Sequence, residues 1–366
     1  MPSTIRAAVC RAFGAPLEIE TLSLRDPGPG EIEVAIEAVA VCHSDISYME
    51  GAWGGALPAV YGHEAAGRIT ALGEGTGQRA LGERVLITLI RACGTCPDCA
   101  GGRPVYCGAK AKGQPKLTDA AGAPVHAAME CGAFAEKVVV HQSQVAPLGE
   151  GMAPETGCLL ACGVPTGLGA VVNTARVRPG ETVVVIGAGG VGLNAVQGAR
   201  LAGAARIVAM DLEPSKLEDA LAFGATDTIP ATDPKPWKAL ARITGGRLAH
   251  HVFVTVGAIP AYDVALRLMA PGGTAYAVGM PHTGETSAYE PVILAALGQG
   301  VRGTLMGDVV LARDIPWMVD LHAQGRLKLD ELISRRWPFE QINAAIADTN
   351  RGQARRNVLT FTDHQG

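Results

Sequence analysis

The sequence is poor in charged and aromatic side chains, and each shortage excludes a class of function. Charged residues make up 18% of the 366 residues and the net charge is −4, so there is no basic surplus to bind a polyphosphate backbone. Nucleic acid is therefore not an expected partner. Aromatic residues make up only 4%, whereas glycine occurs 47 times, and this balance favours a parallel α/β sheet with tight turns over an aromatic-rich sandwich.

Long apolar runs are also missing. No segment reaches the roughly 18 to 20 uninterrupted apolar residues of a membrane span, and the opening MPSTIRAAVCRAFGAPLEIE lacks the apolar centre of a signal peptide. We therefore expect a cytoplasmic protein that does not associate with membranes. Its length favours two domains, at roughly 100 to 200 residues each.

Cysteine is present in an odd number, and its distribution predicts metal binding. Four of the nine cysteines lie within fifteen residues as C-x2-C-x2-C-x7-C: Cys93, Cys96, Cys99 and Cys107. In a cytosolic chain such clustering favours zinc over disulfides, and four thiolates make a closed tetrahedral site that is structural because no position is left for substrate. An iron-sulfur cluster, which usually has a shorter last gap, and ordinary cysteines remain the alternatives.

A glycine-rich segment, GAGGVG, predicts a dinucleotide site. Gly187, Gly189 and Gly192 directly follow the apolar run TVVVI and open an Ala-rich helical stretch, and Asp211 ends the next predicted strand. In this context the glycines let a pyrophosphate approach the backbone, and a carboxylate at that distance binds the adenosine ribose. Because Asp211 would repel a 2′-phosphate, it favours NAD over NADP. The alternative is that the glycines merely pack a helix on a strand.

The chain pattern changes near residue 179. Before it, short β-branched runs such as IEVAIEAVAV predict strands; after it, strands (TVVVIG, RIVAMD, HHVFVTVG, GTAYAVG) alternate with helices such as PSKLEDALAFG, as a doubly wound parallel sheet requires. Two further helices, IPWMVDLHAQG and FEQINAAIADT, and a closing strand NVLTF are predicted after residue 306. The expected fold class is therefore α/β.

Three dispersed segments complete the pattern: CHSD at residues 42–45, GHE at 62–64 and LLACGVPTG around Cys162. Taken singly, His63 is more often a structural histidine, and Cys162 more often fills a core. Together with the four cysteines, GAGGVG and the C-terminal RRNVLTF, they resemble the zinc-dependent alcohol dehydrogenases of the medium-chain dehydrogenase/reductase superfamily. The resemblance covers nearly the whole chain.

The resemblance implies a fold, a metal site and a reaction. It implies a GroES-like, β-rich catalytic domain from residues 1–163 and 306–366, enclosing a Rossmann NAD-binding domain at 164–305. The implied ligands of a catalytic zinc are Cys42, His63 and Cys162, with a fourth position for water or substrate. Cys158 is the rival of Cys162. Two zinc ions per chain are thus expected, one catalytic and one structural.

The remaining residue roles are also implied by the resemblance. Asp45 would hydrogen-bond the histidine ligand, Glu64 would lie behind the metal, and Ser44 would bond the substrate oxygen. Ser47 stands where better-known members carry a histidine that ends the proton relay, so water, the ribose or His43 would have to take the proton. The expected cofactor contacts are His43, Thr166, Gly187, Gly189, Gly190, Val191, Gly192, Asp211, Lys216 and Arg356.

The implied activity is NAD-linked, reversible oxidation of a primary, or secondary, alcohol of moderate size to its aldehyde or ketone. The expected substrate pocket is apolar and consists of Trp53, Leu89, Met280, Leu305 and Met306. The alternatives are a glutathione-dependent formaldehyde dehydrogenase, a zinc-free quinone or enoyl reductase, and a non-catalytic NAD(H) sensor. The first is disfavoured because Trp53 stands where that branch has an acidic side chain and Ala111 stands where it has an arginine. A homodimer or homotetramer is expected, paired through a strand near residues 301–305.

Overall fold

The computed structural model describes residues 2–109 and 115–361. Lys110, Ala111 and Lys112, on which part of the argument about glutathione depends, lie outside the described residues. The chain forms two compact units, residues 1–162 with 310–366 and residues 163–309. The predicted domain boundaries lie one and four residues from these, and the division into functional domains stays a prediction.

The strands and helices are numbered in chain order. The strands are β1 Ser3–Cys10, β2 Glu18–Leu24, β3 Glu31–Ala40, β4 Ala59–Val60, β5 Glu64–Leu72, β6 Arg84–Ile87, β7 Leu117–Thr118, β8 Pro124–Ala127, β9 Lys137–His141, β10 Val145–Pro147, β11 Thr182–Ile186, β12 Arg206–Asp211, β13 Asp227–Pro230, β14 Ala249–Val254, β15 Met269–Ala277, β16 Gly300–Gly303, β17 Ile333–Pro338 and β18 Arg356–Thr360. The α-helices are α1 His43–Met49, α2 Pro97–Ala100, α3 Pro154–Gly157, α4 Gly163–Gly169, α5 Gly190–Leu201, α6 Pro214–Phe223, α7 Pro236–Ile243, α8 Ile259–Leu268, α9 Pro291–Leu297, α10 Leu311–Ala323 and α11 Ile342–Asn350.

Shorter helical turns connect these elements. They are the 3-10 turns Pro104–Tyr106, Ala128–Glu130, Gln142–Gln144, Cys158–Ala161, Met306–Asp308, Asp330–Leu332 and Phe339–Gln341, and the π-helical turn Ala170–Ala175.

The first unit is built from β-sheets, as the β-branched runs predict. Strands β1, β2, β7, β8 and β4 close a barrel, and a second sheet has the order β10-β6-β5-β3-β18-β17, with β9 paired to β3. The run IEVAIEAVAV lies in the central strand β3, which pairs antiparallel with β5, β9 and β18. The closing run NVLTF lies in β18, so the last described residues return to this sheet. Apolar side chains between the sheets form a core that includes Ile32 and Phe134.

The second unit has the predicted alternation of strands and helices. Its six strands are all parallel, in the order β13-β12-β11-β14-β15-β16. The central strand β11, with the sequence TVVVI, is buried along its whole length, as a strand covered on both faces must be. Strand order reverses at β11, between β12 and β14, and open sheets of this kind bind ligands at such a point.

The length and hydropathy of the described helices can be compared with those of a membrane span. Among residues 2–109 and 115–361, no single helix is both long and apolar enough to cross a bilayer. One bent pair, 154–161 with 163–175, meets the test by length and composition only.

Candidate active site

Four side chains that could bind a metal converge in the first unit. Cys42 precedes α1, His63 directly precedes β5, Glu64 begins β5, and Cys162 follows the turn Cys158–Ala161. One ligand atom of each lies within 4.8 Å of the others, and all four residues are buried. Residues far apart in the sequence thus form one cluster with two sulfur donors, one nitrogen donor and one oxygen donor. Such a donor set suits zinc, which binds cysteine, histidine and carboxylate ligands.

A buried carboxylate fixes the histidine of this cluster. The Oδ1 atom of Asp45, in the first turn of α1, lies 2.9 Å from His63 Nδ1 and also accepts the backbone N–H of Gly62 at 2.9 Å. Its Oδ2 atom accepts the backbone N–H of Cys42 at 3.4 Å. Asp45 therefore ties the segments that carry two of the donors to each other. Because Asp45 accepts at Nδ1, that nitrogen carries the proton and Nε2 is left with a free lone pair.

The other histidine nitrogen provides a test of whether metal fits. His63 Nε2 is fully buried and has no hydrogen-bond partner among the described residues. A buried, unsatisfied imidazole nitrogen costs about 1–3 kcal/mol, and such atoms are rare in native structures. Two cysteine sulfurs lie within reach of it. The residues present therefore fit a zinc ion, which would use this lone pair.

The two cysteines of the cluster influence each other's protonation. The hydrogen bond with Cys162 lowers the pKa of Cys42, and His63 lowers it further. The same hydrogen bond, together with burial, raises the pKa of Cys162. The rival cysteine, Cys158, is buried too, but its S–H donates to the carbonyl of Glu155 at 3.2 Å. Which cysteine binds zinc stays a prediction, although the geometry groups Cys162 with Cys42.

Glu64, which the resemblance places behind the metal, lies within reach of the other three donors. Burial raises its pKa to about 8, and both carboxylate oxygens are buried without a hydrogen-bond partner among the described residues. The guanidinium of Arg356, also buried, approaches Glu64 Oε1 to 3.6 Å. Arg356 is an expected cofactor contact, and its described ion-pair partner is this glutamate. Glu64, rather than Cys158, is thus the fourth donor within reach of the other three.

The four clustered cysteines also converge, at the surface of the first unit. The sulfurs of Cys93, Cys96, Cys99 and Cys107 lie within 4.8 Å of one another. Backbone N–H groups point at these sulfurs: that of Cys96 lies 3.3 Å from Cys93 Sγ, and that of Cys93 lies 3.3 Å from Cys107 Sγ. Backbone hydrogen bonds from Thr95 and Cys96 lower the pKa of Cys93 to about 6. Local turns therefore favour the thiolate form of Cys93, whereas burial raises the pKa of Cys99 to about 12.

The predicted proton-relay residues lie on one short helix. His43 is exposed at the first position of α1, and Ser44 and Ser47 are half-buried. Since residues three apart share a helix face, Ser44 and Ser47 line the same side of α1. Their roles stay a prediction.

The glycine-rich segment of the second unit leaves room for a pyrophosphate. A side chain at Gly192 would lie 1.7 Å from the carbonyl oxygen of Gly187, and one at Gly187, which has φ +96°, would collide with Val256. In front of Gly189 the space is open. Helix α5 begins at Gly190, so the N–H groups of Gly190, Val191 and Gly192 have no acceptor within the helix. This is a helix N-terminus suited to an anion.

Asp211 ends β12 beside this segment. Its Oδ2 atom accepts the N–H of Ala188 at 2.7 Å, and its Oδ1 atom accepts the N–H of Glu213 at 3.1 Å. Asp211 is therefore fixed against the glycine-rich turn, and its role toward a ribose stays a prediction. Lys216 is half-buried in the first turn of α6, which follows Asp211.

The predicted pocket residues are divided between the two units. Trp53, which meets Tyr48 edge to face at 4.9 Å between ring centroids, and the half-buried Leu89 belong to the first unit. Met280 and Leu305 are exposed in the second unit, where Met306 is buried. The hydroxyl of Thr166, in α4, donates to Met306 Sδ at 3.6 Å. The substrate pocket stays a prediction.

Comparison with known proteins identifies the family. A family model described as an alcohol dehydrogenase GroES-like domain matches residues 28–150, and one described as a zinc-binding dehydrogenase matches residues 190–324. The chain is 34% identical to "Alcohol dehydrogenase B" of Mycobacterium tuberculosis, covering 98% of both chains. It is also 34% identical to an S-(hydroxymethyl)glutathione dehydrogenase of Escherichia coli, covering 97% of this chain and 99% of that protein.

A solved structure agrees with these matches. The benzyl alcohol dehydrogenase of Acinetobacter calcoaceticus superposes with a TM-score of 0.92 at 29% identity, covering 98% of this chain and 100% of that chain. The predicted fold class, with a GroES-like and a Rossmann domain, is therefore confirmed. The chain belongs to the zinc-dependent alcohol dehydrogenases of the medium-chain dehydrogenase/reductase superfamily.

Proposed function

We propose that this chain oxidises a free alcohol of moderate size and apolar character to its aldehyde or ketone, reversibly and with NAD. The observation that carries the proposal is the buried cluster in which Cys42, Cys162 and His63 converge, where His63 Nε2 has no hydrogen-bond partner among the described residues. The four-cysteine lobe already provides a structural metal site, so the chain does not need this buried cluster for a structural metal. A cofactor-binding sensor without catalysis would have no use for it either.

In this proposal Cys42, His63 and Cys162 hold the catalytic zinc, and Cys93, Cys96, Cys99 and Cys107 hold the structural one. When bound, the catalytic zinc supplies a Lewis acid that lowers the pKa of the alcohol hydroxyl, and the nicotinamide supplies the hydride acceptor. The chain's own groups orient and deprotonate the substrate. Arg356 attracts the carboxylate of Glu64 and so competes with the metal for it.

The proton of the substrate leaves through α1. Ser44 accepts it at its hydroxyl oxygen, since this residue lies two positions beyond Cys42 at the start of the helix. Ser47, on the same face one turn later, extends the route toward the surface, where His43 is exposed. Asp45 keeps the proton of His63 on Nδ1, so the imidazole does not enter the relay.

The cofactor preference rests on Asp211. A fixed carboxylate beside the glycine-rich turn accepts hydrogen bonds from ribose hydroxyls and repels a 2′-phosphate, which favours NAD. The pyrophosphate would lie in front of Gly189, where the backbone leaves open space, at the N-terminus of α5. His43, Thr166, Lys216 and Arg356 are the further cofactor contacts of this proposal.

The substrate preference rests on the apolar side chains Trp53, Leu89, Met280, Leu305 and Met306. An indole held edge to face by Tyr48 offers a flat apolar wall, which suits an aromatic or aliphatic alcohol better than a charged peptide. The benzyl alcohol dehydrogenase neighbour is consistent with this choice. A glutathione adduct would need an ionic partner for its carboxylates, which Trp53 does not provide.

We also propose that the chain acts as a homodimer or homotetramer in the cytoplasm. Strand β16 is at the edge of its sheet, and unpaired strand edges invite pairing. Helix α9 has no buried residue, and Val292, Ile293 and Leu297 on it are exposed apolar side chains. A second copy would cover both.

The decisive experiment measures NADH formation by zinc-replete protein with aliphatic, allylic and aromatic alcohols, and with formaldehyde in the presence and absence of glutathione. Metal analysis of the same preparation should give about two zinc ions per chain. We expect turnover of a free alcohol without glutathione. Turnover only with glutathione would reject the substrate assignment, and zinc-loaded protein that binds NADH without any turnover would reject the enzymatic one.

A further inference from the structure

The segment after β16 contains a run of left-handed backbone that no sequence motif predicts. Met306, Gly307 and Asp308 have φ values of +51°, +63° and +50°. Only glycine adopts this conformation readily, although aspartate tolerates it better than methionine does. Two non-glycine residues in such a run require support from their surroundings, and strain of this kind concentrates at functional sites.

Close backbone packing supplies part of the support. A side chain at Gly307 would lie 2.2 Å from the carbonyl oxygen of Pro165, and one at Gly169 would lie 2.4 Å from the carbonyl oxygen of Gly307. The turn is therefore pressed against helix α4, and the side chain of Asn173 donates to the Gly307 carbonyl at 3.2 Å. Its position cannot shift without displacing α4.

A polar cluster supplies the rest. Asp308 Oδ2 accepts the hydroxyl of Thr174 at 2.7 Å and lies 3.4 Å from the guanidinium of Arg302, which also donates to the carbonyl of Thr174 at 3.1 Å. Thr174 is buried in the π-helical turn that continues α4. Since its only hydroxyl proton goes to Asp308, the hydroxyl of Thr304, 2.8 Å away, donates to Thr174. Asp308 thus fixes one end of the turn to the helix that carries Thr166.

The other end of the turn carries Met306, whose sulfur accepts the hydroxyl of Thr166. In the proposed function, Thr166 is a nicotinamide contact and Met306 a pocket residue. We infer that Asp308 is a positioning residue: through Thr174 and Arg302 it holds the left-handed turn so that Met306 and Thr166 present a fixed surface to the nicotinamide ring. This inference rests on the proposed function, because it assumes that the ring binds beside Thr166.

The experiment compares binding of NADH with binding of ADP-ribose, which lacks the nicotinamide. The test variant is Asp308→Ala, which removes the carboxylate and keeps a side chain in the left-handed region. The conservative variant is Asp308→Asn, which retains an acceptor for Thr174 and tolerates that region. Dissociation constants are measured by fluorescence or calorimetry, and the primary deuterium isotope effect on kcat is measured with a deuterated alcohol. The positioning role is tested through Asp308 rather than Arg302 because Arg302 lies on β16, the proposed pairing strand.

The chain offers a closely matched control at the opposite edge of the same sheet. Asp227 accepts the hydroxyl of Thr226 at 2.6 Å and pairs with Arg206 at 3.4 Å, so it has the same threonine and arginine partners as Asp308. Asp227→Ala removes an equivalent cluster without touching the turn. A general loss of stability would affect both variants, whereas a positioning role would affect only the first.

We expect Asp308→Ala to weaken NADH binding about tenfold, the loss associated with a hydrogen bond to a charged group, while ADP-ribose binding stays within about twofold. The isotope effect on kcat should rise, because a misplaced nicotinamide makes hydride transfer more nearly rate-limiting. Asp308→Asn should restore most of both values.

Equal losses for NADH and ADP-ribose, or values for Asp308→Ala that match those of Asp227→Ala, would overturn the inference. If Asp308→Ala does not fold, Thr174→Val removes the donor to Asp308 and should give the same selective loss of NADH binding. If the unchanged protein binds NADH and oxidises an alcohol, but Asp308→Ala and Asp227→Ala have the same NADH affinity, only the positioning role of Asp308 fails. If the unchanged protein binds no NADH, the proposed function fails with it.

Discussion

Asp45→Asn should weaken zinc binding at the Cys42, His63 and Cys162 cluster without displacing a ligand. The carboxylate is fully buried and accepts three hydrogen bonds, from Gly62, His63 and Cys42. An asparagine oxygen can still accept from Gly62 and His63, but its NH2 group then faces the backbone N–H of Cys42. That N–H loses its acceptor, at about 1–3 kcal/mol, and the imidazole loses a charged partner.

Losses of metal affinity on changing such outer partners are about 10- to 100-fold, equivalent to about 1.4–2.8 kcal/mol. The assay is a graded chelator titration that follows zinc content and NADH formation in parallel. The first zinc lost should be the one whose loss abolishes activity, while the zinc of the four-cysteine lobe stays bound and serves as an internal reference.

A matched control is Asp98→Asn, which alters an exposed carboxylate inside the four-cysteine lobe whose Oδ1 atom pairs with Arg103 at 2.7 Å. It should leave both zinc affinities within about twofold, because exposed ion pairs contribute little. The reasoning is refuted if Asp45→Asn keeps its affinity for the activity-linked zinc, or if Asp98→Asn loses as much.

Three further predictions concern other parts of the chain. Cys162→Ala should abolish activity and remove one zinc while the fold persists, whereas Cys158→Ala should be mild, and metal analysis beside kinetics separates the two. Asp211→Asn should reduce the preference for NAD over NADP, measured as the ratio of the two kcat/KM values, about tenfold, because repulsion of the 2′-phosphate weakens. A preference for NADP in the protein without this substitution would contradict the role of Asp211. Burial raises the pKa of Glu31, but two other contacts lower it. Arg25 donates to the Glu31 carboxylate at 2.6 and 2.9 Å, and the backbone N–H of Gly28 donates to it as well. The net result is a pKa below the usual value of a glutamate. The unchanged protein should therefore be more stable than Glu31→Gln by about 1 kcal/mol. This difference in the free energy of unfolding should be constant above about pH 5 and disappear as the pH falls through the lowered pKa of Glu31. Denaturant unfolding at a series of pH values measures it.

Local sequence patterns predict much of the fold and of both candidate sites. The four-cysteine lobe and the glycine-rich turn each lie within a short segment, so spacing alone brings Cys93 near Cys107 and Gly187 near Gly192. Strand runs such as TVVVI carry their own signal, because β-branched side chains favour a buried strand. The predicted strand at residues 32–41 is observed one residue earlier, at Glu31–Ala40.

Contacts between distant segments could not be predicted in this way. The three letters GHE do not by themselves indicate that the Glu64 carboxylate is buried with no hydrogen-bond partner among the described residues, because that depends on how β5 pairs with β3 and β6. The left-handed turn at residues 306–308 gives only a weak signal, a glycine beside an aspartate. Its conformation is imposed by the packing of Gly307 on α4, which is a tertiary constraint.

The positions of the proposed zinc ligands along the chain also predict an order of assembly during folding. Closing the segment from Cys93 to Cys107, about 15 residues, costs roughly 3 kcal/mol of chain entropy, whereas bringing Cys42 to Cys162, about 120 residues apart, costs roughly 5. The four-cysteine lobe can therefore capture zinc while the rest of the chain is still unfolded. The buried cluster must wait until the sheet around β3 and β5 has formed, so we expect a chain made under zinc shortage to fill the proposed structural site before the proposed catalytic one.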